Sequence, residues 1–355
     1  MSCTVSVDDS DAASCASSER STTSTEEFEH EPFSAFKTQV TQLCEDVWPH
    51  LSPGAFEVTH MEGGSYNCVI GVQGDMSHKR ISWLQRHATG LLQIFWPRSA
   101  NRQKEIQEYV IRIPRYEHAW VEQEIALLFF LAATNVPAPK IEHFSLTLDN
   151  VIESPFPIQA QIPGRLFGEV YSTLNTTQRI AFAEDLGRAL RELSRISTPC
   201  PGLFNADNDY YLTHMDFEPR NILLHSISND IASLSGILDW DESVFAPAFL
   251  SCRAPSWRWD FEGDDDEELD ESIAHVDPQD VELLAIKQAF ESAVDAKWLV
   301  YAYKTEYRLA REIIRLAITG INSSEGYDVA NRIVKEWNEL RPAQAVHKIV
   351  PGDED

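Results

Sequence analysis

From about residue 33 onward the apolar positions follow two alternating periods. Phe36, Val40, Leu43, Val47 and Leu51 recur three to four residues apart, which predicts a helix running up to Ser52-Pro53-Gly54. Phe56 to Met61 then alternates like a strand, Glu62-Gly63-Gly64-Ser65 turns, and Tyr66 to Val72 alternates again, so a hairpin with a glycine-rich turn is expected. Tyr109 to Pro114 predicts a third strand. Trp120 to Ala133 predicts a helix with Val121, Ile125, Leu128 and Leu131 on one face, stopped by Val136-Pro137-Ala138-Pro139. Two short strands, Ile141 to Leu148 and Phe156 to Gln161, lead to Pro163-Gly164, where a boundary between lobes is expected. Beyond it Thr176 to Ile196 reads as a long amphipathic helix. Short strands follow, then helices near 280–305, 306–319 and 325–339. The pattern predicts an α+β chain: a small antiparallel-sheet lobe with one long helix over 33–161, then a larger, mainly helical lobe over 162–345.

Two segments break the pattern. Residues 1–32 are rich in Ser, Thr, Asp and Glu, with almost no large apolar side chains, and cannot bury enough apolar area to offset their ordering entropy. They are expected to form a disordered acidic tail, with a second acidic tail over 346–355. Residues 77–104 hold Lys79, Arg80, Arg86, Arg98, Arg102 and Lys104 with no acid between Asp75 and Glu105. This stretch reads as an insertion between two strands. It fits a surface excursion, a contact with an anionic partner, or a translated non-coding stretch.

Composition narrows the classes of function. The 355 residues are 43% hydrophobic, enough for a substantial core, and carry a formal charge of −27. So acidic a chain should repel nucleic-acid phosphate and anionic membranes. The charge is unevenly placed, however: residues 1–32 carry −7, 260–271 carry −9 and 353–355 carry −3, leaving −8 on the other 308. A nucleotide-sized anion is therefore not excluded from the lobes. No run of residues approaches the roughly 20 apolar positions that span a bilayer. The first residues lack a basic, then apolar leader. Six cysteines without a Cys-x-x-Cys pair fit free thiols in a cytoplasmic protein.

The chemistry concentrates in Leu212-Thr213-His214-Met215-Asp216-Phe217-Glu218-Pro219-Arg220-Asn221-Ile222-Leu223-Leu224. An Asp and an Asn five residues apart on one loop suit phosphoryl transfer, Asp216 taking the proton of an attacking hydroxyl and Asn221 offering an oxygen to Mg²⁺. Eighteen residues later Gly236-Ile237-Leu238-Asp239-Trp240-Asp241-Glu242 is an apolar strand ending in acids, with Asp239 placed to hold the metal. Asp241 and Glu242 read as supports for that metal site or as solvated charges. Trp257 and Trp259 fit core packing or a cage for a cationic amine. The acids of 260–271 fit a solvated loop or a rim that attracts cations.

These paired motifs resemble the aminoglycoside phosphotransferase and choline kinase family, small-molecule relatives of protein kinases, and within it the fungal phosphotransferase-like proteins. The Met-Glu-Gly-Gly-Ser-Tyr-Asn run from Met61, Tyr-Val-Ile-Arg-Ile-Pro-Arg from Tyr109, Val-Pro-Ala-Pro from Val136 and Trp257-Arg258-Trp259 resemble the same subgroup. Coverage runs from about residue 33 to about 340, interrupted by 77–104. The resemblance implies a two-lobed protein-kinase-like fold and an enzyme using ATP or GTP with Mg²⁺. It implies a nucleotide site of Gly63, Gly64 and Ser65 over the phosphates, Arg112 on the strand where protein kinases carry lysine, and Glu124 as its helix partner, with Glu122 facing elsewhere. Gln159 to Ile162 would form the hinge against the base. Asp216 would be the catalytic base, Asn221 and Asp239 the metal ligands, and His214 a scaffold for the loop. The acceptor would be an amino alcohol or an aminoglycoside-like molecule. A pseudokinase that binds nucleotide and serves as an interaction module is the other reading, and the oligomeric state stays open.

Overall fold

In the computed structural model the described residues are 33–52, 54–61, 66–75, 106–116, 119–199, 209–228, 231–255, 271 and 274–347. The expected tail over 1–32, Gly63, Gly64 and Ser65, the insertion at 77–104, and Trp257 and Trp259 lie outside them. So do the acidic run up to Asp270 and the last residues of the C-terminal tail.

The first helix, α1 (Phe33–Val47), is shorter than its periodicity suggests. Trp48 precedes Pro49, a position that disfavours helical backbone, and the chain leaves the helix there. Leu51 is nonetheless buried beside Val40 and Leu43, so the apolar spacing reported burial correctly and helix length incorrectly. Strands β1 (Phe56–His60), β2 (Asn67–Asp75) and β3 (Ile106–Pro114) follow, then helix α2 (Ala119–Leu131) and strands β4 (Ile141–Ser145) and β5 (Phe156–Ala160). They form one antiparallel sheet in the order β1-β2-β3-β5-β4. Ile70, Val72, Ile111, Ile113 and Ile158 on one face of the sheet pack with α1. Each such side chain contributes about 1.5–3 kcal/mol when fully buried. Among the described residues the small lobe carries two helices, at the two places where the periodicity predicts them.

The larger lobe begins with β6 (Arg165–Leu166), α3 (Phe167–Val170) and α4 (Thr176–Arg195). Asn175 and Gln178 cap α4 reciprocally, satisfying two backbone donors that the first turn leaves free. Next come β7 (Ser197–Pro199), β8 (Asp209–Thr213), β9 (Ile222–Ser228), β10 (Ile231–Ile237), β11 (Val244–Pro247) and α5 (Ala248–Ser251). These strands make two small sheets, β10-β9-β6 and β11-β8-β7. Helices α6 (Val281–Ala293), α7 (Ala296–Tyr303), α8 (Thr305–Thr319) and α9 (Ser324–Leu340) complete the lobe. The single helix expected near 280–305 is two, because Val294 and Asp295 are both extended. The break lets Trp298 of α7 meet Phe290 of α6 edge-on, 5.5 Å between ring centres. No helix among the described residues is long and apolar enough to cross a membrane.

Two features fix the lobes against each other. The last turn of α2 sends Leu128 and Leu131 into the large-lobe core beside Leu190, Leu212 and Trp240. At the expected boundary, Gly164 has φ +141°, and a Cβ there would lie 2.5 Å from Ser235 Oγ and 3.0 Å from the Leu224 carbonyl. Only glycine lets the linker press this closely on β9 and β10. The architecture is a two-lobed α+β fold, a five-stranded antiparallel sheet with its helices followed by a mainly helical lobe.

Candidate active site

Strand β8 ends at Thr213, and the loop that follows is closed from within. Asn221 Nδ2 donates to Asp216 Oδ2 at 2.7 Å and to the Asp216 carbonyl at 3.0 Å. The short helical turn Pro219–Asn221 brings the carboxamide back over the acid. The five-residue spacing therefore has a physical consequence: the amide's donor side orients the carboxylate, and its Oδ1 faces away from that bond. Arg220 pairs with the other Asp216 oxygen.

The loop is locked to the segment after β10. Leu238 N donates to the Asn221 carbonyl at 2.8 Å, and His214 Nε2 bonds the Leu238 carbonyl at 2.7 Å. A carbonyl only accepts, so His214 carries its proton on Nε2. Its Nδ1 is buried without a partner, and burial lowers its pKa against the pull of neighbouring acids. The ring packs edge-on to Trp240, 4.8 Å away, and joins the loop to the segment after β10. Asp239 has φ +65°, a left-handed backbone that non-glycine residues rarely adopt without support. Flanking bonds from Leu238 and from Trp240 Nε1 to the Ile237 carbonyl at 2.7 Å supply it.

Across the cleft, Arg112 of β3 collects three carboxylates. Its Nη1 donates to Glu124 Oε1 at 2.5 Å, while Nη2 meets Asp239 Oδ1 and, at 3.3 Å, Asp241 Oδ2. Glu124 is buried and Glu122 exposed on the same helix, as a two-residue separation requires. Burial opposes the Arg112 cation, yet the three acids outweigh it and raise its pKa. Burial also pushes the Glu124 and Asp241 carboxyls up, with the other acids adding to it and Arg112 opposing. One cation facing three carboxylates leaves an excess of two negative charges. That excess, together with the Asn221 oxygen, fits a divalent cation. No group of three His, Cys, Asp or Glu side chains placed to share a metal occurs among the described residues. A cation here would take its other ligands from phosphate and water.

Gln159 is buried, and its Nε2 donates to Glu124 Oε1 at 3.3 Å; its side chain steadies the ion pair. Ile162 is half-buried at the linker and packs on Gly236, where a Cβ would lie 2.6 Å from its Cδ1. Sequence reasoning missed Asn67, whose Nδ2 reaches Asp241 Oδ2 at 3.4 Å; its place just after the glycine-rich turn was the available signal. It also missed a cavity of about 270 Å³ beside the loop, lined by Leu190, Leu193, Trp298, Ile314 and Ile318 together with Met215, Phe217 and Glu218. Those three residues flank Asp216. Glu218 lies 3.8 Å from Arg253, which pairs more closely with Glu271 at 2.8 Å.

Residues 97–211 match the phosphotransferase enzyme family, so the chain is similar to that family across Arg112, Glu124, Gln159 and Ile162. The matched segment ends before Asp216. A search of curated proteins finds no match. Among solved structures, one assigned as an aminoglycoside phosphotransferase from Ralstonia eutropha JMP134 is 16% identical, covering 82% of this chain and 94% of its own, with a TM-score of 0.45. The GDP complex of aminoglycoside 2′-phosphotransferase-IIIa is 15% identical, covering 84% and 98%, at 0.45. The streptomycin–ATP–APH(2″)-IIa ternary complex is 14% identical, covering 83% and 95%, at 0.44.

Proposed function

We propose that this protein transfers the γ-phosphoryl group of ATP or GTP to the hydroxyl of a small amino alcohol. The observation that carries the reading is the coupling of Asp216, Asn221 and Asp239 through the 2.7 Å Asn221–Asp216 bond and the 2.8 Å Leu238–Asn221 bond. One acid is left to accept a proton, and a second acid and an amide oxygen face a cation. The acceptor hydroxyl gives its proton to Asp216 as its oxygen attacks the γ-phosphorus in line. The bond from that phosphorus to the bridging oxygen breaks, and the nucleoside diphosphate leaves. Arg112 lies where it can offset charge on the phosphates. Mg²⁺, when held by Asn221 and Asp239, supplies further charge neutralisation. Catalysis is mainly positioning and electrostatics.

The cavity at Met215, Phe217 and Glu218 favours a compact acceptor. Its 270 Å³ lies just under the roughly 300–1,000 Å³ usual for ligand pockets, and its walls mix apolar side chains with Glu218, Glu271, Glu312, Arg253, Arg311 and Arg315. Glu218 supplies a carboxylate for one ammonium group. A nucleotide-binding module without transfer is the weaker reading, because the base and both candidate ligands are present and mutually ordered. Free, buried Cys44, Cys68 and Cys252 and the need for nucleotide fit a cytoplasmic setting.

The test is release of nucleoside diphosphate over a panel of amino alcohols. Asp216→Asn should lower turnover by about 10²–10⁴-fold, the range for losing a positioned base, without changing the melting temperature of the free protein. Thermal stabilisation by Mg-nucleotide should vanish in Asp239→Ala. Absence of both nucleotide stabilisation and turnover in the wild-type protein would end this reading.

A further inference from the structure

We propose that Asp241 is a positioning residue that holds Arg112 toward the phosphates once Asp239 is committed to a metal ion. The inference rests on the phosphotransferase reading and deepens it.

Arg112 Nη2 has two carboxylate partners, Asp239 Oδ1 and Asp241 Oδ2. The two acids are not equivalent. The Asp239 side chain is 39% exposed, the Asp241 side chain 21%. Asp239 faces the solvent from which a metal-nucleotide must come, while Asp241 is tucked against the small lobe. A carboxylate that ligates a divalent cation has less electron density to offer a guanidinium. Nη1 is already given to Glu124 at 2.5 Å, so Nη2 would lose its nearer partner at the moment the phosphates arrive. Asp241 Oδ2 is the acceptor that remains.

Asp241 is itself fixed. The oxygen that meets Arg112 at 3.3 Å also accepts from Asn67 Nδ2 at 3.4 Å. Asn67 opens β2 and pairs with Pro114 of β3, two positions along from Arg112, which pairs with Val69. One carboxylate from the large lobe thus touches both β2 and β3 of the small-lobe sheet. An acid that merely added negative charge would repel nucleotide. An acid that steadies a cation between Glu124 and the phosphates would strengthen binding, and the two cases predict opposite signs.

The experiment is titration of the full-length protein with a fluorescent ATP analogue, in excess Mg²⁺ and again in excess EDTA, using isosteric Asp241→Asn. With Mg²⁺ the variant should bind about tenfold more weakly, the scale of one charge-assisted hydrogen bond. In EDTA Asp239 still holds Arg112, and the change should stay under about twofold by the same arithmetic. In an Arg112→Lys background, where a single ammonium cannot bridge Glu124 and Asp241 as a fork does, Asp241→Asn should add almost nothing. Melting temperature of each free variant controls for folding. Unchanged or tighter binding by Asp241→Asn in Mg²⁺, an equal loss in EDTA, or additive effects with Arg112→Lys would overturn the proposal while leaving the phosphotransferase reading intact. Failure of the wild-type protein to bind the analogue at all would overturn both.

Discussion

Arg112 and Arg311 are both arginines with buried side chains, and the cleft treats the first as the large-lobe core does not treat the second. Arg311 of α8 donates through Nε to Glu271 at 2.7 Å, and its two terminal nitrogens reach the carbonyls of Phe249, Tyr301 and Ala302 at 2.8–3.0 Å. Its charge is matched once, and its donors are spent on backbone. Arg112 faces three carboxylates and no carbonyl, with two of those acids reaching solvent. The first arrangement is closed: nothing can be added without breaking a bond. The second is short of positive charge and open on one side, so a cation-bearing ligand improves it. A buried arginine by itself is thus uninformative about function; the balance and exposure of its partners decide.

That contrast can be broken in several ways. The largest effect should come from Arg311→Met, which leaves three carbonyls without their donor and Glu271 with Arg253 alone; removing one member of a buried, hydrogen-bonded charge pair costs about 3–5 kcal/mol. Urea unfolding should show that loss, while affinity for Mg-nucleotide in the surviving folded fraction stays at the wild-type value. Arg112→Met should do the reverse. Its exposed acids can hydrate, so unfolding should shift less than for Arg311→Met, while the nucleotide dissociation constant rises by about ten- to a hundredfold, one or two charge-assisted bonds. If both variants lose stability equally and nucleotide binding is untouched, Arg112 is as structural as Arg311. A smaller effect is expected at Glu218. Glu218→Gln should raise the KM for an amino alcohol by about tenfold, one charge pair's worth, with kcat and nucleotide affinity unchanged.

The smallest effect concerns pH. Burial lowers the His214 pKa below its ordinary value of 6.5, so the folded protein binds that proton more weakly than the unfolded chain. The associated stability is complete above pH 6.5 and drains away as pH falls below it. Glu124 and Asp241, with raised pKa values, act with the opposite sign, their contribution being lost as pH rises. The melting temperature of His214→Gln should therefore fall less than that of the wild type between pH 6.5 and acid. Parallel curves would show that His214 does not titrate on unfolding.

Much of this was readable in one dimension because it depends on local rules. Period-two and period-3.6 spacing marked the strands of the small lobe and α4. The four residues between Asp216 and Asn221 bring an amide back over a carboxylate through a short helical turn. The two-residue offset between Glu122 and Glu124 chose which acid turns inward. Helix ends were less legible. Leu51 keeps the spacing of α1 yet lies beyond it, and Val294 and Asp295 interrupt a spacing that looked continuous, because apolar periodicity reports burial and not the backbone path between buried positions.

What the sequence alone determined was the set of groups available: an acid, an amide and a second acid at Asp216, Asn221 and Asp239, and an arginine on the third strand. What only the tertiary structure decided was their electrostatic balance. Arg112, Glu124 and Asp241 are separated by up to 129 positions, and no local spacing could reveal that one guanidinium serves three carboxylates while Asn67 steadies the third. Nor could it reveal a cavity beside Asp216 assembled from α4, α7 and α8. Coulombic interaction and burial depend on distance through space, and chain separation does not encode that distance until the two lobes pack.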